Sequence, residues 1–437
     1  MNQPTDITAD HSLHQAAPAF QADRAFADAL DRNDPLAGFR ESYHLPRHTN
    51  GEPMIYLVGN SLGLQPKGVG EAIEQELRDW AELGVEGHFE AKHPWYSYHE
   101  MFAEPAAALV GGRPGEVVVM NTLTANLHLM MVSFYRPTAG RYKIVVEGGA
   151  FPSDRYAVWS QARFHGYDPA QAIVELRPRD GQDLLLTEDI EQYLSEHGDE
   201  VALVMMGGVN FYTGQAFNME RITAAAHAAG CVVGFDLAHA AGNLDLRLHD
   251  WDVDFAVWCG YKYLNSGPGG VSGCFVHERH AFDPDLPRFA GWWGNDPASR
   301  FEMHPDFVPQ RGAGGWQLSN AQILPMAAHK VALDLFTQAG IPNLRAKSVM
   351  LTAYLEYLID LIPGERYTII TPRDPAQRGC QLSIRTTANA RDLAHRLRAA
   401  GVTVDFRPPD VIRVAPVPMY NTFLDAWRFA DILATLF

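Results

Sequence analysis

The sequence predicts an α/β chain, with a large domain on a mostly parallel sheet and a smaller α+β domain. Three observations carry this expectation. Through the middle of the chain, short β-branched apolar runs alternate with amphipathic stretches, the order that lays crossover helices on a parallel sheet. After Gly315 the alternation stops, and a long helical stretch leads into separate strands. At 437 residues the chain also exceeds what one hydrophobic core usually organises, so two domains sharing an interface are expected.

Residues 1–20 carry Asp6, Asp10 and scattered His and Pro without an apolar core, and read as a mobile tail and not a signal peptide. Residues 21–80 are expected to join the small domain, 81–320 to form the large one, and 321–437 to supply a linking helix and the rest of the small domain. Strands are expected at 116–120, 143–147, 202–207, 231–236, 255–258 and 273–276. Helices are expected at 126–134, 155–164, 188–196 and 219–229, the last capped by Asn218. A helix over 320–339 should resume over 344–361 after a break at Gly340 and Pro342, followed by strands at 367–371, 381–385 and 411–414.

The composition, 47% hydrophobic and 20% charged, is ordinary for a globular enzyme. A formal charge of −17 repels phosphate backbones and anionic lipid, so neither nucleic acid nor a membrane surface is an expected partner. No apolar run approaches the ~20 residues of a membrane span. Cys231, Cys259, Cys274 and Cys380 are far apart and lack CxxC spacing, which suits a reducing, cytoplasmic compartment with no disulfide and no metal site.

The chemistry concentrates in residues 231–270. An apolar run ends in Asp236, placing a carboxylate at the C-terminal end of a buried strand, where open α/β sheets bind ligands. The next apolar run ends in Gly260-Tyr261-Lys262, which brings an amine to the same edge. A buried ion pair closing two strands accounts for this pattern as well as a cofactor does. A pyridoxal-phosphate site requires the same two groups, a lysine to form an imine with the aldehyde and a carboxylate beside the ring nitrogen.

Other segments offer the remaining parts, each with a plainer reading beside it. Leu123 and Thr124, between a strand and a helix, can hold a phosphate at a helix N-terminus or simply cap that helix. Phe151-Pro152-Ser153-Asp154 offers a ring to stack on a planar ligand and a carboxylate near it, or an ordinary helix start. His239 can reach a ring substituent or be a hydrogen-bonded core histidine. The Gly/Trp loops holding Trp292 and Trp316 can present an indole donor or pack. Arg413 lies in an apolar strand, where a guanidinium needs a carboxylate from the protein or from a substrate.

Longer segments then carry a resemblance. YLVGNSLGLQPKG (56–68), NTLTANLHLM (121–130), FPSDRYA (151–157), GVNFYTGQ (208–215), GFDLAHAAGN (234–243), WCGYKYLNSGPGG (258–270), RGCQLSI (378–384) and IRVAPVPMYNT (412–422) resemble the kynureninases, in family order and over nearly the entire chain. The resemblance implies the aminotransferase-like fold type I, pyridoxal 5'-phosphate, and a homodimer with active sites at the subunit interface. It implies hydrolysis of L-kynurenine or L-3-hydroxykynurenine to L-alanine and anthranilate or 3-hydroxyanthranilate, in tryptophan catabolism, with NAD biosynthesis as a process this can feed. Lys262 would bind the cofactor and act in catalysis with Tyr261; Asp236 would face the ring nitrogen, with His239 beside the cofactor. Phe151, Pro152, Ser153 and Asp154 would line the ring, while Leu123, Thr124, Tyr261, Trp292 and Asn320 would complete the cofactor contacts. Arg413 would bind the α-carboxylate, with His88, Ser61, Ser319 and Asn320 toward the rest of the substrate. Polar groups at His88, Ser319 and Asn320 favour a 3-hydroxyl on the aryl ring. Family members often carry Ser or Thr where this chain has Gly207. A cysteine desulfurase or another lyase of the same fold, or a non-catalytic cofactor-binding protein, are the alternatives; the first wants a mobile cysteine, and Cys380 sits at the start of an alternating strand.

Overall fold

The computed structural model of the chain describes residues 19–436, so the expected tail falls almost wholly outside the described residues. The large domain is built on seven strands, β1 Val117–Met120, β2 Lys143–Glu147, β3 Ile173–Leu176, β4 Val201–Gly207, β5 Val232–Asp236, β6 Phe255–Cys259 and β7 Ser272–Val276. Their order is β1-β7-β6-β5-β4-β2-β3. From β3 to β6 all neighbours are parallel, whereas β7 runs antiparallel to both β6 and β1. The reversal follows from the 260–271 connection, which contains no helix to carry the chain back across the sheet. β1, β6 and β7 are buried along their whole length, which is why they read as unbroken apolar runs. β3 gave no such signal: it is a half-exposed strand at the sheet edge, with Glu175 in its middle.

Helices α1 Leu123–Phe134, α2 Pro152–Phe164, α3 Thr187–His197 and α4 Met219–Ala228 connect the strands. Asn218 caps α4, its side chain accepting from the Arg221 N–H at 3.1 Å. Two helices begin earlier than expected, α1 at Leu123 and α2 at Pro152. The second start follows from proline itself, which fits the first turn because the missing N–H would have no partner there.

Helix α5 Ile323–Ala339 ends at Gly340, whose φ of 75° is left-handed, and α6 Ile341–Asp360 starts at once with Pro342 in its first turn. Beyond them lie β8 Tyr367–Ile369, β9 Leu382–Thr386, β10 Asp405–Arg407 and β11 Val411–Val414, an antiparallel sheet in the order β10-β11-β9-β8. The sequence did not point to β10, because charged residues at both its ends hide its apolar centre. Helix α7 Phe423–Thr435 packs on α6 over a core containing Tyr354, Leu355, Ile412 and Phe429.

The N-terminal segment divides between the two cores. Phe20, Phe26, Ala27 and Leu30 enter the small core, and Ile55–Tyr56 pairs in parallel with Val402–Thr403. The helix Val69–Leu83 instead packs on α5, with Ala72 and Ile73 against the large core. No helix among the described residues is long and apolar enough to cross a membrane.

Candidate active site

The parallel strands bring their C-terminal residues to one edge, where Glu147, Gly207 and Asp236 end β2, β4 and β5. Lys262 follows β6 there, and one cavity is lined by Leu123, Thr124, Phe151, Ser153, Asp154, Asp236, His239, Tyr261 and Lys262, together with Glu147, Gly207 and Phe211. Lys262 Nζ lies 3.2 Å from His239 Nε2 and 5.6 Å from the centre of the Phe151 ring. Burial and the Lys262 charge hold the His239 imidazole well below its ordinary pKa, so the ring is neutral and accepts from the lysine. Asp236 accepts from the Ala238 N–H at 2.6 Å and faces Lys262 electrostatically. Asp154 lies against Asp236, and burial pushes both carboxyls up, while the Lys262 charge draws each of them back down.

One end of the cavity suits an anion. α1 and α2 both start there, and neither N-terminus has a side-chain cap, leaving backbone N–H groups free to point at a ligand. Thr124 Oγ1 and Ser153 Oγ stand 2.8 Å apart across the two helix starts. Asn121, at φ 49°, takes the left-handed turn from β1 into α1 and is held by a hydrogen bond from its Nδ2 to Asn126 Oδ1 at 3.0 Å.

The other end meets the small domain. Arg413, on the inner strand β11, is 1% exposed and donates from Nη1 to the Phe211 carbonyl at 2.7 Å. Gln381 Nε2 donates to the same carbonyl at 3.1 Å and its Oε1 accepts from Asn60 Nδ2 at 2.8 Å. Phe211 packs edge-on against Phe151, with ring centres 5.3 Å apart. The Gly63 N–H donates to the Tyr261 carbonyl at 2.9 Å, and a Cβ at Gly63 would come within 2.3 Å of the Lys262 carbonyl oxygen, so only glycine allows this approach. Five motifs distant in sequence from the lysine's own thus meet at this end of the site.

Several expected residues do not line this cavity, Arg413 among them: it is buried behind the cavity and reaches it through the Phe211 carbonyl. Pro152 is exposed at the start of α2, and Ser61 lines a neighbouring pocket with Asp405 and Arg407. His88 packs on Trp95, Trp292 donates to the Arg300 carbonyl at 3.4 Å, and Ser319 and Asn320 are exposed.

A family model for the kynureninase C-terminal domain matches residues 344–433. The likeness extends over nearly the whole chain: a kynureninase of Myxococcus xanthus (strain DK1622) is 58% identical over 414 residues, covering 95% of this chain and 97% of its own. The chain belongs to the kynureninase family. A kynureninase of Koribacter versatilis (strain Ellin345) is 56% identical over 416 residues, again 95% of this chain and 98% of its own. The likeness to a cysteine desulfurase from Thermococcus onnurineus NA1 is one of fold, with a TM-score of 0.72 over 88% of this chain and 94% of that one at 17% identity. The thiols do not suit the desulfurase alternative either: Cys259, which interacts with Lys262, is buried and its thiol is pushed up to about 11. Cys380 is fully buried with its thiol pushed up to about 12.

The cavity of this kynureninase-family chain fits pyridoxal phosphate part for part. The amine, a carboxyl group beside it, an aromatic face and an anion site at two helix starts are all present, and His239 Nδ1 is buried without a partner. Sequence reasoning missed Glu147, although it ends an apolar strand just as Asp236 does. Burial pushes its carboxyl up to about 7, and a Cβ at Gly207 would come within 2.9 Å of its Oε1. The space of a Ser or Thr side chain at Gly207 is thus filled by Glu147. Glu116, His249 and His277 also lie close together, but the Glu116 carboxylate already accepts from the N–H groups of Arg113 and Glu278 and faces His249 at 2.9 Å.

Proposed function

We propose that the chain hydrolyses the Cβ–Cγ bond of L-kynurenine and L-3-hydroxykynurenine, releasing L-alanine and the corresponding anthranilate. The observation that carries this reading is Lys262, hydrogen-bonded to the neutral His239 and facing the Asp236 carboxyl, in a chain of the kynureninase family. Lys262 would anchor pyridoxal phosphate, with Asp236 beside its ring nitrogen, Phe151 on its face and Thr124, Ser153 and the two helix starts around its phosphate. When bound, the cofactor supplies the electron sink that makes carbon acids of the substrate's Cα and Cβ.

The residues around it have separate tasks. Lys262 Nζ would move the proton from Cα. Arg413 takes the α-carboxylate, which fixes the Cα–H bond toward Lys262. Tyr261, its hydroxyl pushed up to about 12 by burial, keeps its proton and can deliver it to Cβ as the C–C bond breaks. Water adds at Cγ, so the aryl fragment leaves as an acid and Cβ stays with alanine.

The protein is proposed to act as a cytoplasmic homodimer in tryptophan catabolism, a compartment supported by its free, buried cysteines. An exposed aromatic cluster supports the second copy. Phe89, Tyr96, Phe301 and Trp292 form a chain of ring contacts, with Phe89 61% and Phe301 56% exposed. In a dimer that covers this face, His88, Trp292, Ser319 and Asn320 would complete the site of the opposite subunit.

The decisive experiment incubates the cofactor-loaded protein with each substrate and assays alanine. Alanine from neither overturns the reading. The polar groups His88, Ser319 and Asn320 predict kcat/KM for 3-hydroxykynurenine at least equal to that for kynurenine; a clear excess for kynurenine removes that preference alone.

A further inference from the structure

Arg407 and Arg413 share one acidic partner. Asp405 of β10 lies directly opposite Arg413 of β11 in the antiparallel register. Its Oδ2 accepts from Arg413 Nη2 and, at 3.0 Å, from Arg407 Nη2. Asp405 and Arg407 are two residues apart on one strand and point to the same face, so the carboxylate touches both guanidinium groups without backbone movement. Two guanidinium charges against one carboxylate leave one positive charge without a partner. The Nε atoms of both arginines are buried and unpaired, and burial works against the Arg413 charge. Arginine cannot shed its proton to relieve this; the Arg407 side chain is 33% exposed and reaches solvent, whereas Arg413, 1% exposed, depends on a carboxylate from Asp405 or from a ligand.

We propose that Asp405 is a built-in placeholder for the substrate carboxylate: it bridges Arg413 and Arg407 in the free protein and is left to Arg407 alone when the α-carboxylate arrives. This rests on the reading of Arg413 as the carboxylate clamp. The shift gives the site a selectivity that Arg413 alone would lack. A ligand must displace a tethered carboxylate at high effective concentration, so a simple anion competes poorly, while an amino acid held also through its amine succeeds. Arg407 makes the shift possible by keeping Asp405 as a charged partner, and acts as a positioning residue.

The test uses cofactor-loaded protein carrying Asp405→Asn, Arg407→Gln or both, with KM, kcat and inhibition by benzoate measured for each. Asp405→Asn should lower KM for kynurenine and the inhibition constant of benzoate by about tenfold, the scale of one competing charged hydrogen bond, with the change in KM and not kcat. Arg407→Gln should raise KM by about the same factor, and this effect should vanish in the double variant, where no carboxylate remains to be held. A higher KM in Asp405→Asn, or additive effects in the double variant, overturns the placeholder. Should Asp405→Asn fail to fold, Arg407→Gln alone decides, since unchanged KM there rejects the shift. Arg413→Ala separates the two readings: unchanged KM in that variant rejects the clamp itself, whereas a raised KM without the Asp405→Asn effect rejects only the placeholder.

Discussion

Glu147 closes its carboxylate on the backbone N–H of Gly207, with Oε2 and Oε1 at 3.1 and 3.3 Å from that nitrogen. The acid is buried in the cavity wall and its carboxyl is pushed up to about 7 by desolvation, then by the nearby Asp236 charge. Between its ordinary value of 4.5 and about 7, the folded protein holds a proton here that the unfolded chain does not. The stability from this group is therefore fully present below 4.5 and is lost as the pH rises through about 7. In the cofactor-free protein, Glu147→Gln cannot ionise and should gain stability relative to the native protein as the pH rises across that window. Thermal melts at a series of pH values check this, and a constant difference between the two proteins rejects it.

The sheet edge was legible because its chemistry is written at strand ends. Asp236 and Lys262 each follow an apolar run that could only be a buried strand, and the parallel order brought them together as expected. Glu147 carries the same signature and was passed over because nothing in sequence paired it with a second charge. Its partner is a backbone N–H, which leaves no mark in a sequence. Asp405 was hidden for a related reason: β10 has charged ends, and its meaning depends on a register opposite Arg413 that only the folded sheet supplies. His88, Trp292, Ser319 and Asn320 could be named from family resemblance, yet a single subunit does not bring them to Lys262.

Lys262 and Arg413 should fail in different ways. Lys262→Ala removes the amine that binds the cofactor and moves the Cα proton, so absorbance of bound cofactor and alanine release should both be lost. Arg413→Ala should keep the cofactor and raise KM by about 30-fold or more, the cost of deleting one partner of a buried charge pair. Absorbance spectra and steady-state kinetics separate the two outcomes. Equal losses of cofactor in both variants would count against Arg413 as a substrate contact.

Tyr261 lies beside the lysine with its ring 5.9 Å from Lys262 Nζ. Tyr261→Phe keeps the ring and removes the proton donor. If Tyr261 protonates Cβ, kcat should fall by roughly 10²–10⁴-fold, the usual range for a general acid, while cofactor absorbance stays. Loss of cofactor with little change in kcat for the loaded fraction would assign Tyr261 to phosphate binding alone.

The division of the site between two copies can be tested without a structure of the dimer. Lys262→Ala leaves a subunit without its amine, and Trp292→Ala with Asn320→Ala leaves one without the residues proposed to reach across. Each protein alone should be inactive or nearly so. When the two are unfolded together and refolded, half of the dimers are mixed, and each mixed dimer holds one site built entirely from intact parts. Recovered activity should approach about a quarter of that of the native protein. If each site is built within one chain, both kinds of subunit remain defective in every pairing and no activity returns, because Lys262 and the exposed Trp292 loop then never come from different copies.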